Sequence, residues 1–180
     1  MEGVDNIDEG REVEKGKWKG KARAEVKGAG AEKVWPLLED FFGLDKWFPT
    51  LTTCIPVEGI SGQPGCVRFC AGFKTPVDHD AKPTLNWTKQ KLLSIDPTNW
   101  TFSYSIVDGN VGFHSYVSTL KLLPKPHDQG CEIEWFYQVE PVLGWKLDYL
   151  HSFIDTGLQI MAQRMQAALN TMEQALTASQ

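Results

Sequence analysis

Cysteine is scarce and unclustered in this 180-residue chain: Cys54, Cys66, Cys70 and Cys131 form no C-x-x-C and have no nearby His at zinc spacing. That excludes a disulfide scaffold and a structural zinc module, and it reads as buried thiols of a reducing compartment. No metal and no cofactor are expected. Apolar runs of the ~20 residues that span a bilayer are also missing. The N-terminus, MEGVDNIDEGREVEKGK, is acidic and has no apolar h-region, so no secretory signal is expected. The location implied is cytoplasmic, and the glycosylation-like triplets Asn86-Trp87-Thr88 and Asn99-Trp100-Thr101 are then chance matches.

Positive charge is not in surplus either. With 18 Lys and Arg against 23 Asp and Glu, the net charge is -5, and nucleic acid is not expected as a partner. There is no internal repeat, nucleophile motif, phosphate-binding glycine loop or Cys/His pair. A protein partner is possible but has no support in the sequence. What is present is an ordinary globular composition, 42% hydrophobic and 23% charged with seven Trp, enough for one domain with a sizeable core.

Residues 1–16 read as a flexible acidic tail, and residues 17–180 as the single domain. From Lys17, Trp18, Gly20, Ala22, Ala24 and Val26 alternate with Lys17, Lys19, Lys21, Arg23, Glu25 and Lys27. That is a half-buried strand whose wet face is basic, a solvated face and not an anion site. Val34, Leu37, Leu38, Phe41 and Phe42 then recur at helical spacing, with Gly43 suiting a break between two short helices. From Thr52 to about Val139 the text is strands and turns, six strands of an antiparallel meander with one solvated face. A polar loop, FKTPVDHDAKPT, interrupts it, and Asp78-His79-Asp80 there reads as a solvated loop and not a metal site.

A helix is expected from about Gly144 to Thr177, with Leu147, Leu150, Ile154, Leu158, Met161, Met165, Leu169 and Met172 on one stripe. This order predicts an α+β domain, a curved antiparallel sheet wrapped around the long C-terminal helix. Such a sheet encloses a cavity wherever side chains do not fill it.

The stretch GCVRFCAG, Gly65 to Gly72, poses the functional question. Arg68 is either a charge on the wet face or a guanidinium pointing into a pocket. If it points inward, so do Cys66 and Cys70, while Val67 and Phe69 lie outside. Residue pattern alone leaves both open.

GCVRF after a gapped hairpin, W-x-K-x-K-L before a D-x-x-N-x-x-x-S-Y turn and the overall element order resemble the lachrymatory factor synthase-like proteins of plants. These belong to the polyketide cyclase/dehydrase and lipid-transport superfamily, which shares the helix-grip fold of birch-pollen allergens and START domains. The resemblance runs from about Lys17 to the chain end. It implies a seven-stranded sheet, two short helices after the first strand, and a hydrophobic cavity under the long helix. It also implies that Arg68 is a cavity residue and that Tyr116 matches a cavity tyrosine.

At position 90 the chain departs from that family, having Gln90 where the synthases have a proton-transferring Glu. An amide cannot titrate, so the main acid/base group is lost. SGQPGCVR faintly echoes the gate loop of the abscisic acid receptors, but it precedes the strand that their gate follows.

An inward Arg68 needs partners, since an unpaired buried charge is costly. Gln90, Tyr104, Tyr116 or an oxygen of a ligand would serve. The expected ligand-binding set is Arg68, Gln90, Tyr104, His114, Tyr116, Trp135, Ile154, Leu158, Met161 and Met165. His114 is included because it shares parity with Tyr116, although a lone His there also suits a hydrogen-bonded structural role. The expected partner is a small, mostly apolar or amphipathic ligand held by Arg68. The alternative is a cofactor-free isomerase or cyclase in which Arg68 and Tyr116 are catalytic.

Overall fold

In a computed structural model, which describes residues 11–14, 16–74 and 84–180, the alternation from Lys17 becomes strand β2 (Lys17–Val26). It is preceded by a short strand β1 (Arg11–Glu14) antiparallel to it. Strand β1 falls within the segment expected to be a tail and extends the sheet to eight strands. The other seven are those the pattern implied. The Asp78-His79-Asp80 loop lies outside the described residues.

Helix α1 (Ala31–Leu38) buries Ala31, Val34, Trp35 and Leu38. The second short helix is a 3-10 segment, Phe41–Lys46, separated from α1 at Glu39–Asp40, and the backbone breaks again inside it at Gly43, where φ is -106° and ψ 17°. Strands β3 (Thr53–Glu58), β4 (Val67–Lys74), β5 (Thr84–Asp96), β6 (Thr101–Gly109), β7 (Val117–Pro124) and β8 (Cys131–Val139) complete one antiparallel sheet of order β1-β2-β8-β7-β6-β5-β4-β3. Hairpin connectivity makes every β3-to-β8 neighbour sequential, and β2 closes against β8.

The outer face is solvated as its charges demand. Arg23 reaches Glu134 at 3.0 Å and Glu132 at 3.6 Å, so the basic stripe of β2 is matched by acids of β8. Helix α2 (Leu147–Ala178) covers the inner face. Leu158, Met161 and Met165 are fully buried there, each contributing roughly 1.5–3 kcal/mol by leaving water.

Two glycines permit close approaches beside the sheet's inner face. A Cβ on Gly157 of α2 would strike the Phe48 ring, and one on Gly72 of β4 would strike the Thr50 carbonyl oxygen. A ring edge can yield, whereas backbone cannot. Gly72→Ala should therefore cost about 3 kcal/mol, the upper end for overpacking. In a chain of this size that lowers Tm by about 6–12 °C, readable by calorimetry. An unchanged Tm would show that the Thr50 segment can move away.

Candidate functional site

Register decides the orientation of Arg68. Strand β4 pairs Arg68 with Gln90 and Cys70 with Thr88 on β5, and pairs Cys70 with Cys54 on β3. Alternation then sends Cys66, Arg68 and Cys70 inward, where they are 1%, 3% and 2% exposed. Phe69 stays on the outer side and stacks on Trp87, with ring centroids 5.7 Å apart. That stacking is what makes an apolar residue acceptable on the wetter face.

The Arg68 guanidinium is held by dipoles and rings. Its Nε donates to Gln90 Oε1 at 2.8 Å and its Nη1 to the Phe41 carbonyl at 2.7 Å. The Phe41 ring centroid lies 3.9 Å from the guanidinium carbon and that of Tyr104 lies 5.0 Å away. Desolvated cation–π contacts of this kind contribute about 2 kcal/mol or more. Among the described residues no carboxylate forms an ion pair with it. Asp40 borders the same small recess without an ion pair to it, so the charge is solvated mainly by protein dipoles.

A cavity of about 320 Å³ lies between the inner face of the sheet and the first half of α2. Its buried end presents Cys70, Thr88, Gln90, Tyr104, Tyr116 and Trp135, while Ile106, Leu150 and Ile154 form apolar walls. Aromatic side chains surround the outer end: Phe113, Trp145, Tyr149 and Phe153. The Trp145 ring packs edge-on against Phe113, Tyr149 and Phe153.

Hydrogen bonds orient the polar end. Trp135 Nε1 donates to Ser118 Oγ at 2.9 Å, and Ser118 Oγ donates to the Tyr116 hydroxyl at 2.7 Å. Gln90 Nε2 donates to Thr88 Oγ1 at 3.1 Å. With Gln90 Oε1 committed to Arg68, the amide is fixed with its NH₂ side free to donate once more. Thr88 and Tyr116, having accepted, keep their own hydroxyl protons available. Burial pushes the phenols of both Tyr104 and Tyr116 up, so they stay protonated at neutral pH. Gln90, Thr88 and Tyr116 can therefore each donate, with the Arg68 cation directly behind Gln90.

Of the expected ligand set, Gln90, Tyr104, Tyr116, Trp135 and Ile154 line the cavity. Arg68 does not. It stands behind Gln90 on an adjoining recess of about 10 Å³, shared with Met161. Leu158 and Met165 belong to the packed core further along α2, where helix and sheet meet directly and leave no space. His114 is exposed and is not among the residues lining the cavity. The strand that parity with Tyr116 presupposes begins only at Val117, and Ser115 takes φ +55°, so the parity argument fails. His114→Ala should leave ligand affinity within about twofold of wild type, checked by titration. A tenfold loss would return it to the site.

The aromatic mouth was not foreseen. Tyr149 and Phe153 lie beside the buried stripe of α2, and Phe113 and Trp145 sit in irregular segments that periodicity does not read. Among the described residues that line the main cavity there is no Asp, Glu, His, Lys or Arg.

A protein-family model described as polyketide cyclase / dehydrase and lipid transport matches residues 17–176. Similar folds occur in bacterial structures. XoxI from Bacillus cereus is 20% identical with TM-score 0.66, the match covering 86% of this chain and 97% of that one. A putative uncharacterized protein from Bacillus thuringiensis is 20% identical with TM-score 0.62, covering 83% and 97%. A protein from Nitrosospira multiformis is 19% identical with TM-score 0.64, covering 83% and 94%. At this identity the likeness is one of fold.

Proposed function

Because the chain belongs to the polyketide cyclase/dehydrase and lipid transport family, we propose that it binds a small, mostly apolar molecule carrying an acceptor oxygen at one end. The observation that supports this most is the one-sided chemistry of the buried end. Gln90, Thr88 and Tyr116 each retain a donor, and Arg68, which forms no direct ion pair among the described residues, adds a positive field. A carboxylate is the head group best matched to that arrangement, and a ketone or ester carbonyl comes next. The apolar remainder would lie along Ile106, Leu150 and Ile154 and leave through the aromatic mouth.

In this reading Arg68 is a positioning residue. It fixes the Gln90 amide and supplies charge without touching the ligand. The lachrymatory factor synthase-like alternative, an isomerase or cyclase, would have to move a proton with tyrosines and a cysteine, because Gln90 replaces the carboxyl group. Two phenols with raised pKa values are poor bases at neutral pH. The cavity lining therefore favours holding a molecule over transforming it.

Native mass spectrometry of the gently purified protein, followed by denaturing mass spectrometry, tests the proposal. A reproducible excess mass released on denaturation, reduced in Arg68→Leu, is the expected outcome. Titration with long-chain carboxylates covers the case in which purification strips the ligand. Failure of both the native adduct and every titrated acid or ketone to bind would overturn the reading.

A further inference from the structure

Cys54 and Cys70 face each other across β3 and β4 as directly paired residues. Their sulfurs are 3.8 Å apart, with the Cys70 thiol donating to Cys54. Directly opposed residues of an antiparallel pair have Cα atoms about 4.5–5.5 Å apart, within the roughly 4.4–6.8 Å that a disulfide spans. The two other cysteines, Cys66 and Cys131, are buried with no cysteine paired opposite them in the sheet. Cys70 lines the cavity, and Cys54 stands behind it.

Arg68 lies close to both. Its Nη1 and the Cys54 thiol converge on the same Phe41 carbonyl oxygen, at 2.7 and 4.0 Å. A cation, a buried acceptor for its proton and a second thiol in contact are the parts that a reactive dithiol needs.

We propose that Cys54 and Cys70 form a peroxide-reactive dithiol on the cavity wall, whose substrate is an organic hydroperoxide admitted through the cavity mouth. Cys70 is the attacking sulfur because it faces the cavity. Once Cys54 has lost its own proton to solvent, the Cys70 proton passes to the Cys54 sulfur along their existing contact. The Cys70 sulfur then bonds the terminal oxygen of the hydroperoxide, the O–O bond breaks, and the alkoxide leaves with a solvent proton as an alcohol. Cys54 next attacks the Cys70 sulfenic sulfur, the S–O bond breaks, and hydroxide leaves and is protonated to water. The sum is two thiols and one hydroperoxide giving one disulfide, one alcohol and one water.

Protonation at rest sets the slow step. The Cys70 hydrogen bond, helped by Arg68, lowers Cys54 to about 7, and the same contact together with burial pushes Cys70 up. Passing the Cys70 proton to Cys54 is therefore the uphill step that limits the rate. The proposal uses the cavity as a route of entry and is independent of which ligand the cavity holds.

The full chain, reduced and then treated with one equivalent of cumene hydroperoxide, provides the test. Free thiols are alkylated and the protein is mapped by mass spectrometry. The expected result is a loss of about 2 Da, a Cys54–Cys70 cross-linked peptide, and alkylated Cys66 and Cys131. Consumption of one hydroperoxide per chain, with cumyl alcohol released, should accompany it. In Cys54→Ser no disulfide should form, and the Cys70 sulfenic acid, made slowly without its proton acceptor, should be trapped by dimedone, whereas Cys70→Ser should lose at least nine-tenths of the reaction rate. A disulfide that uses Cys66 or Cys131, or oxidation of Cys54 and Cys70 to separate sulfinic acids, would overturn the proposal. So would four fully alkylatable thiols after exposure. Because the decisive reading is on the wild-type chain, a variant that fails to fold does not remove the test.

Discussion

Gln90→Glu is expected to weaken binding of a carboxylate-headed ligand by about a hundredfold, equivalent to about 2.7 kcal/mol. The amide stands 2.8 Å from Arg68 Nε and lines the buried end of the cavity. A carboxylate there would accept from the same Nε–H and neutralise the guanidinium. It would also replace the free amide donor with an acceptor facing the ligand's own oxygens. Like charges in a desolvated site repel strongly, so the penalty falls on acids and spares neutral ketones. The variant should fold at least as well as wild type, because a buried cation gains a charged partner and the Thr88 hydroxyl can turn to donate where it now accepts. Paired calorimetric titrations with an acid and the ketone of equal chain length would check this. Equal loss for both ligands would mean that shape and not charge governs the polar end.

Arg68→Leu carries the second large effect, and it appears in two observables. The Phe41 carbonyl and Gln90 Oε1 would lose their donor in a buried site, costing about 1–3 kcal/mol each. Removing a desolvated cation offsets part of this, so a Tm decrease of roughly 4–8 °C is expected. Carboxylate affinity should fall by tenfold or more, as the field disappears and the Gln90 amide becomes free to turn. A neutral ketone should lose less than threefold. A variant that keeps full carboxylate affinity would show that Arg68 is structural only. The order of loss for acids, Gln90→Glu greater than Arg68→Leu, follows from repulsion being worse than absence.

The two substitutions also explain which parts of the site could be read from the chain. Alternation in β2, β6 and β8 announced the strands because each has one wet face, and hairpin spacing announced the meander. In β4 the apolar residues fall on both faces. Val67 is buried and Phe69 stacks on Trp87 on the outer side, so periodicity could not tell which side held Arg68. Pairing with β3 and β5 settles it. The family resemblance pointed the guanidinium inward but not to its place behind Gln90, which depends on hydrogen bonds to residues 22 and 27 positions away.

His114 shows the opposite failure. Parity works only inside a strand, and the positive φ of Ser115 ends its reach one residue before Tyr116. Along α2 the apolar stripe was legible as far as Leu169, whereas Met172, expected on it, is exposed, and only the stripe's first half faces space. Leu150 and Ile154 line the cavity, while Leu158 and Met165 meet the core. How far a helix stands from a sheet is a property of the packed whole, with Phe48 against Gly157 as one of its spacers. The Trp145 mouth was unreadable for the same reason, since irregular segments carry no period.

The most direct test of the central claim is a crystal structure of the protein with a medium-chain carboxylate such as decanoate. A carboxylate within hydrogen-bonding distance of Gln90 Nε2 and the Tyr116 hydroxyl, with its chain running toward Trp145, is the expected result. A ligand bound the other way round, with its head among Phe113, Trp145 and Tyr149 and its tail against Gln90, would contradict it.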